Sequence, residues 1–330
     1  MPKAIVATYA ENPGQLMAAH RLAESLRAFG GQWQEAPVVV YLPEGVASVD
    51  TEIVVRLGSV GVELRTSRTP EFARWFFYGG KPFAAAQAEE DLAGPRAVDG
   101  SGEQTGTRVT GGTGDAAGTP ATGRAEILVW LDCDTVLLGE PWEFDLAPEI
   151  ALAYCPVMHN RSGSSCDAPP DAFWSRIYEL LSLSDEILFP MVTPTDHQKI
   201  RAYFHCGHLA VRPEKGILRQ WAEDFAILAR DSVLVAMCKE SGDRRTFLHQ
   251  TALTSAVLHR LGREALVEFS GAYNYPIFFE RLYGADQAYT SLAGVVTVRL
   301  LGSFKKLGSN WPDELTGPED RIAWLREWQP

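Results

Sequence analysis

The chain is 330 residues long, 46% hydrophobic and 22% charged, with a formal net charge of −12 and a pI near 5.1. That length can bury a large core as one big domain or two intimate ones. The acidic balance argues against a nucleic-acid binder, whose contact face is basic, and no apolar run approaches the roughly 18 residues of a membrane span.

In chain order, Ala4 to Tyr9 reads as a buried strand, and Met1 to Val6 as a strand start rather than a signal peptide. Asn12-Pro13 opens a helix with Leu16, Ala19, Ala23 and Leu26 on one face, stopped by Gly30-Gly31. Val38 to Leu42 is a second strand, Val49 to Leu57 a helix and Val60 to Leu64 a third strand. This alternation opens a parallel sheet with crossover helices. Phe72 to Glu90 reads as helix, break at Gly79-Gly80, then helix, rich in aromatic residues that pack on the sheet. Residues 93–124 are Gly-, Thr- and Ala-rich with few large apolar side chains, so they read as a flexible insertion. Their Gly111-Gly112-Thr113-Gly114 lacks the leading strand and the Lys-Ser/Thr end of a phosphate loop.

Ile127-Leu128-Val129-Trp130-Leu131 then runs straight into Asp132-Cys133-Asp134-Thr135. Two carboxylates at the end of a buried strand repel each other and resist desolvation. A hard divalent cation held by oxygen ligands removes both penalties. Further strands follow at Glu149 to Cys155, Tyr203 to Val211, Leu266 to Phe269 and Val295 to Leu301. Helices follow at Asp171 to Leu183, Gly216 to Ala229 and Thr246 to Leu261, with a loop over 159–170 and a short helix in the tail, 318–330. The chain has no internal repeat.

Five cysteines (Cys133, Cys155, Cys166, Cys206, Cys238) carry neither a C-x-x-C pair nor zinc spacing, which fits free thiols in a reducing cytoplasm. His205 and His208 are three apart on a strand, so alternation predicts opposite faces and a poor zinc site. Thr8 and Tyr9 stand at the carboxyl end of the first strand, the ligand side of a parallel sheet. Lys81 reads either as a phosphate contact or as a solvated helix residue. Asp196 lies in a Pro-flanked loop of the kind that carries acceptor contacts.

Two families place Asp-x-Asp at the end of an apolar strand. Asp132-Cys133-Asp134-Thr135-Val136 can be read as the nucleophile motif of haloacid-dehalogenase phosphatases, but Gly242-Asp243 is followed by Arg244, Arg245, Thr246 and Phe247, without that family's second acid. The motif also sits late in the chain for a phosphatase. The other resemblance covers most of the chain. Asp132-Cys133-Asp134 through Gly139-Glu140-Pro141, the Phe204-His205-Cys206-Gly207 strand, His249-Gln250 with Leu253, and Arg299-Leu300-Leu301-Gly302-Ser303-Phe304-Lys305 fall in the order of the glycogenin-like branch of the nucleotide-diphosphosugar transferases.

That resemblance implies a single α/β domain over 1–330, a Rossmann-like glycosyltransferase A-type fold with a mixed central sheet flanked by helices. It implies Mn²⁺ or Mg²⁺ on Asp132 and Asp134, and a nucleotide-diphosphate sugar donor contacted by Thr8, Tyr9, Lys81, His205, Gly207, Arg299, Gly302 and Lys305. His249, Gln250 and Asp196 would do the chemistry toward an unknown acceptor. Three positions depart from the family pattern: His205 replaces Asn, His249 replaces Asp at the start of its helix, and Arg299 replaces the His that completes the metal shell. Arg cannot deprotonate to ligate a metal, though it can bind a diphosphate directly. These departures leave open a divergent transferase or a nucleotide-sugar-binding protein that has lost turnover.

Overall fold

The computed structural model describes residues 4–45, 51–93, 125–285, 287–299, 307 and 310–327. In chain order the elements are β1 (Ala4–Tyr9), α1 (Pro13–Phe29), β2 (Val38–Pro43), α2 (Thr51–Ser59), β3 (Val62–Ser67), α3 (Lys81–Ala93), β4 (Ile127–Leu131) and β5 (Thr135–Leu137). Next come β6 (Leu152–Pro156), α4 (Ala172–Leu180), β7 (Pro190–Val192), β8 (Lys199–Arg201), β9 (Phe204–Val211), α5 (Ile217–Leu228), α6 (Ser232–Glu240) and α7 (Gly242–Arg260). The chain ends with β10 (Leu266–Glu268), α8 (Phe279–Leu282), β11 (Thr297–Arg299) and α9 (Glu319–Arg326).

Seven of these strands form one sheet in the order β10-β6-β9-β4-β1-β2-β3. β9 runs antiparallel to both of its neighbours, and the other pairs are parallel. The sheet is therefore mixed. β1 and β4 are buried at every position because helices cover both faces, which is why they read as unbroken apolar runs. Leu128 and Trp130 pack with α3, α5 and α7 on one face. Ile127, Val129 and Leu131 pack with Leu22 and Leu26 of α1 on the other.

Local chemistry sets the element ends. Asn12 accepts from the Gln15 N–H at 3.0 Å and Pro13 takes the first helical position, so α1 starts where the sequence places it. Asp171 caps α4 in the same way through the Trp174 N–H. α7 begins a turn earlier than the apolar pattern suggests, because the Ser241 hydroxyl accepts from the Arg244 N–H. This puts His249 two turns inside the helix rather than at its start. β3 begins at Val62 rather than Val60, since Gly61 (φ +72°) completes the turn out of α2. The first half of the 72–90 pattern forms only one 3₁₀ turn before α3. The expected insertion falls, except for Ala93, in 94–124, outside the described residues.

Short elements escaped the sequence reading. β5 is three residues long and pairs antiparallel with β11, setting Arg299 opposite Thr135. β7 and β8 pair with each other, and α6 packs on α7. Val136, Val298, Trp311 and Leu325 form a separate apolar cluster that anchors the β5–β11 ribbon. No helix among the described residues is long and apolar enough to cross a membrane.

Glu89 ties two helices together. Its buried carboxyl on α3 accepts the Leu218 and Arg219 N–H groups at 3.1 and 3.0 Å, the otherwise unpaired donors of the first turn of α5. Burial pushes its pKa up from 4.5 to about 7, against the pull of those backbone donors. Glu89→Ala should lower unfolding stability by about 1–3 kcal/mol, because it orphans buried donors. The native carboxyl holds its proton to a higher pH than the unfolded one, so its stabilising share is full below 4.5 and is lost as pH rises through about 7. Urea melts at acid and alkaline pH should show that slope in the parent and a flatter one in Glu89→Ala.

Candidate functional site

Strand order reverses between β4 and β1: from β1 the sheet grows through β2 and β3 on one side and through β4 on the other. Chain connections diverge there and leave a crevice at the carboxyl ends of the strands, where open α/β sheets bind ligands. A cleft of about 690 Å³ occupies this place, lined by Tyr9 at the end of β1, Asp132 and Asp134 after β4, and Tyr78, Lys81 and Arg299.

An ion cluster forms its floor. Lys81, the first residue of α3, donates to the Asp132 carboxylate from 51 residues upstream. A lysine at a helix N-terminus opposes the helix dipole, so the pair, not the helix, holds it there. Arg299 enters from the β5–β11 ribbon and spans both acids, with Nη2 2.9 Å from Asp132 Oδ2 and Nε 3.4 Å from Asp134 Oδ1. Burial disfavours every one of these charges, and the neighbours decide the outcome. Lys81 and Arg299 hold the Asp132 carboxyl well below the usual range despite its burial. Burial pushes Asp134 up to about 6, opposed by Arg299 and reinforced by Asp132. Burial lowers the Lys81 pKa, but Asp132 and Cys206 outweigh it and keep the ammonium charged.

β9 and α7 make the facing wall. Asp132 N–H donates to Gly207 O at 2.8 Å, and a Cβ at Gly207 would overlap the Asp132 carboxylate. That close approach is why glycine stands there. Two donors face the His205 ring, Arg299 Nη1 at 2.6 Å from Nε2 and Gly207 N–H at 3.2 Å from Nδ1. Neutral imidazole accepts at one nitrogen only, and the shorter, charge-assisted bond takes it. Burial first, then Arg299, depress the His205 pKa far below the usual value, so the ring is neutral. Cys206 Sγ lies 3.3 Å from both Lys81 Nζ and His249 Nε2. Gln250 Oε1 accepts the Cys206 N–H at 3.3 Å. Burial pulls His249 down to about 3, so it too is neutral.

Of the residues singled out from the sequence, Tyr9, Lys81, Asp132, Asp134, His205, His249, Gln250 and Arg299 come together in the cleft. Gly207 lies directly behind Asp132. Thr8 is fully buried, and its hydroxyl has no hydrogen-bond partner among the described residues. Asp196 is not in the lining; its carboxylate accepts from Asn160 N–H and Thr193 Oγ1 and shapes its own loop. Gly302 and Lys305 lie outside the described residues. The alternation argument for His205 and His208 fails locally, because β9 pairs irregularly with β6 and Cys206 and Leu209 share one cluster. His208 is enclosed by the rings of Phe144, Phe269 and Tyr273. Asp243, the candidate phosphatase acid, pairs with Arg161 and is also absent from the lining.

Tyr78 and Cys206 belong to the cleft and were not singled out. Tyr78 adopts φ +57° and its ring lies 5.9 Å from His249, a backbone strain that costs of order 1–3 kcal/mol. Its only sequence signal was the Tyr78-Gly79-Gly80-Lys81 break, where a Cβ on Gly80 would overlap the Tyr9 hydroxyl.

The donor set does not fit a divalent ion. Among the described residues no three His, Cys, Asp or Glu side chains converge to hold a metal. Both oxygens of Asp132 are taken by Lys81 and Arg299, and the position implied for a third ligand carries a cation. Like unit charges about 4 Å apart repel by about 4 kcal/mol at an effective dielectric of 20, and a divalent ion doubles that.

No family profile matches the chain, and no curated protein sequence matches it. Among solved structures it is similar to the mouse xyloside xylosyltransferase 1 apo form, 10% identical over 91% of this chain and 98% of that one, with a TM-score of 0.42. It is similar to galactosyltransferase LgtC in complex with donor and acceptor sugar analogues, 12% identical over 96% and 98%, with a TM-score of 0.45. It is similar to core-mannan synthase A from Aspergillus fumigatus in its Mn/GDP form, 8% identical over 82% and 73%, with a TM-score of 0.42.

Lys81→Met should cost about 1–3 kcal/mol in unfolding free energy, because it leaves Asp132 Oδ1 without its partner while Arg299 still holds Oδ2. The double variant Lys81→Met/Asp132→Asn should lose less than the sum of the two single variants, a coupling that denaturant melts of all four proteins will measure.

Proposed function

We propose that the cleft binds a nucleotide-diphosphate sugar and transfers its sugar to an acceptor. One observation carries the reading: a buried acid pair and two cations converge at the β1/β4 crevice, beside a cleft large enough for such a donor. The ordered motif resemblance, from Asp132-Cys133-Asp134 to His249-Gln250, points the same way.

In the transfer, the bond from the anomeric carbon to the diphosphate breaks and its electrons leave with the nucleoside diphosphate. The acceptor's nucleophilic atom forms the new bond to that carbon and releases its proton. Negative charge therefore grows on the leaving diphosphate. Fixed cations aimed at such growing charge in a water-poor site stabilise it without reorganisation, and Lys81 and Arg299 are the cleft cations that meet the acid pair. Asp132 and Asp134 hold them in place. The Mn²⁺ or Mg²⁺ implied by the sequence resemblance does not fit these occupied carboxylates.

A second reading, nucleotide-sugar binding without turnover, is favoured by the inward bonds of α7. His249 is neutral and in contact with Cys206, and Gln250 is bonded to the β9 backbone. A panel of UDP-, GDP-, ADP- and TDP-sugars, read by thermal stabilisation and by released nucleoside diphosphate, separates the readings. Transfer predicts stabilisation by one donor, with release that accelerates when the right acceptor is added. Arg299→Gln should slow that turnover roughly 100-fold or more. Stabilisation without release on any acceptor would move the protein to the binding class, and no response to any donor would remove both readings.

A further inference from the structure

We infer that Arg299, seconded by Lys81, is a built-in replacement for a divalent ion, so that the diphosphate of the donor is bound without metal. The inference rests on the donor reading above and goes beyond it in naming what neutralises the phosphates. The guanidinium stands where a bridging ion would have to be: it reaches Asp132 with Nη2 at 2.9 Å and Asp134 with Nε at 3.4 Å, joining the two acids as a shared cation joins its ligands.

Charge and donor counts both favour it. Two carboxylates and two cations leave the cluster neutral by itself, with no demand for a further positive ion. Arg carries five N–H donors in a fixed fork and Lys three. Arg299 turns Nη2 to Asp132 and Nη1 to His205, its Nε lies 3.4 Å from Asp134 Oδ1 as an ion pair without a hydrogen bond, and Lys81 directs one donor at Asp132 and one at Cys206. Each cation thus retains donors for a phosphate oxygen beyond those engaged within the cluster, and both line the cleft. The planar fork matches phosphate geometry, for which Arg is the preferred side chain. The ribbon fixes the guanidinium in place, since Val298 next to it is fully buried in the C-terminal apolar cluster.

The test is calorimetric titration of the full chain with inorganic pyrophosphate, UDP, GDP, ADP and TDP, first in excess EDTA and then with added Mn²⁺. Pyrophosphate and at least one nucleoside diphosphate should bind in EDTA, with Mn²⁺ changing the affinity by less than about tenfold, one decade being about 1.4 kcal/mol. Arg299→Gln should weaken pyrophosphate roughly 10- to 100-fold, as loss of a charged hydrogen bond does. Arg299→Lys should weaken it less, with circular dichroism and thermal melts verifying that both variants fold. Arg299→His, which substitutes a side chain able to ligate metal, should make binding Mn²⁺-dependent. Binding that appears only with Mn²⁺ in the parent protein overturns the inference and leaves the donor reading standing. Binding in EDTA that Arg299→Gln leaves unchanged overturns it as well. Failure of every probe in both conditions removes the donor reading and the inference together.

Discussion

Two carboxylates delivered by a buried strand into a covered crevice have to be neutralised, and the fold is arranged around that demand. β4 cannot place Asp132 and Asp134 at its end unless something positive meets them. The chain answers from two directions. α3 presents Lys81 at its first position, against its own helix dipole, and the β5–β11 ribbon presents Arg299 from the far end of the sequence. Gly207 makes room for the acid on the β9 side.

The same cluster explains why the histidines on the cleft wall are neutral. A ring beside Arg299 and Lys81, away from water, gains nothing by taking up another positive charge. His205 therefore accepts from Arg299, and His249 rests against Cys206 between β9 and α7. Their replacement of the amide and acid typical of the resembled pattern is consistent with a wall whose polar atoms face the cluster.

Much of this architecture was legible in the sequence, for reasons that can be named. β1, β2, β4 and β9 are long apolar runs because helices cover both faces, and α1 carries its own cap and stop signals. The parallel start of the sheet follows from strand and helix alternation. The antiparallel insertion of β9 was foreseen only as a mixed sheet, since register between distant strands leaves no local mark. β5, β7 and β8 are three residues each, too short for periodicity to register, whereas β11 falls inside the longer strand expected over Val295 to Leu301. In the site, Asp132 and Asp134 announced themselves through the apolar run before them, Lys81 was open between a phosphate contact and a solvated helix residue until the fold buried it, and the resemblance supplied His205, His249 and Arg299. What sequence could not supply was their pairing. The spacing of Asp-x-Asp is the same whether the acids hold a metal or an arginine, and only the three-dimensional return of β11 distinguishes the two. Asp196 was misjudged for the opposite reason: a Pro-flanked acid looks available, whereas its oxygens are spent on Asn160 and Thr193.

The late position of Arg299 also bears on synthesis. A ribosome makes β4 and its two acids roughly half a chain before β11, a lag on the order of ten seconds at 5–20 residues per second. During that interval Lys81 is already made and Arg299 is not, so two carboxylates face one cation. The acid pair gains its second cation only when the β5–β11 ribbon closes, which ties neutralisation of β4's carboxylates to completion of the polypeptide through β11.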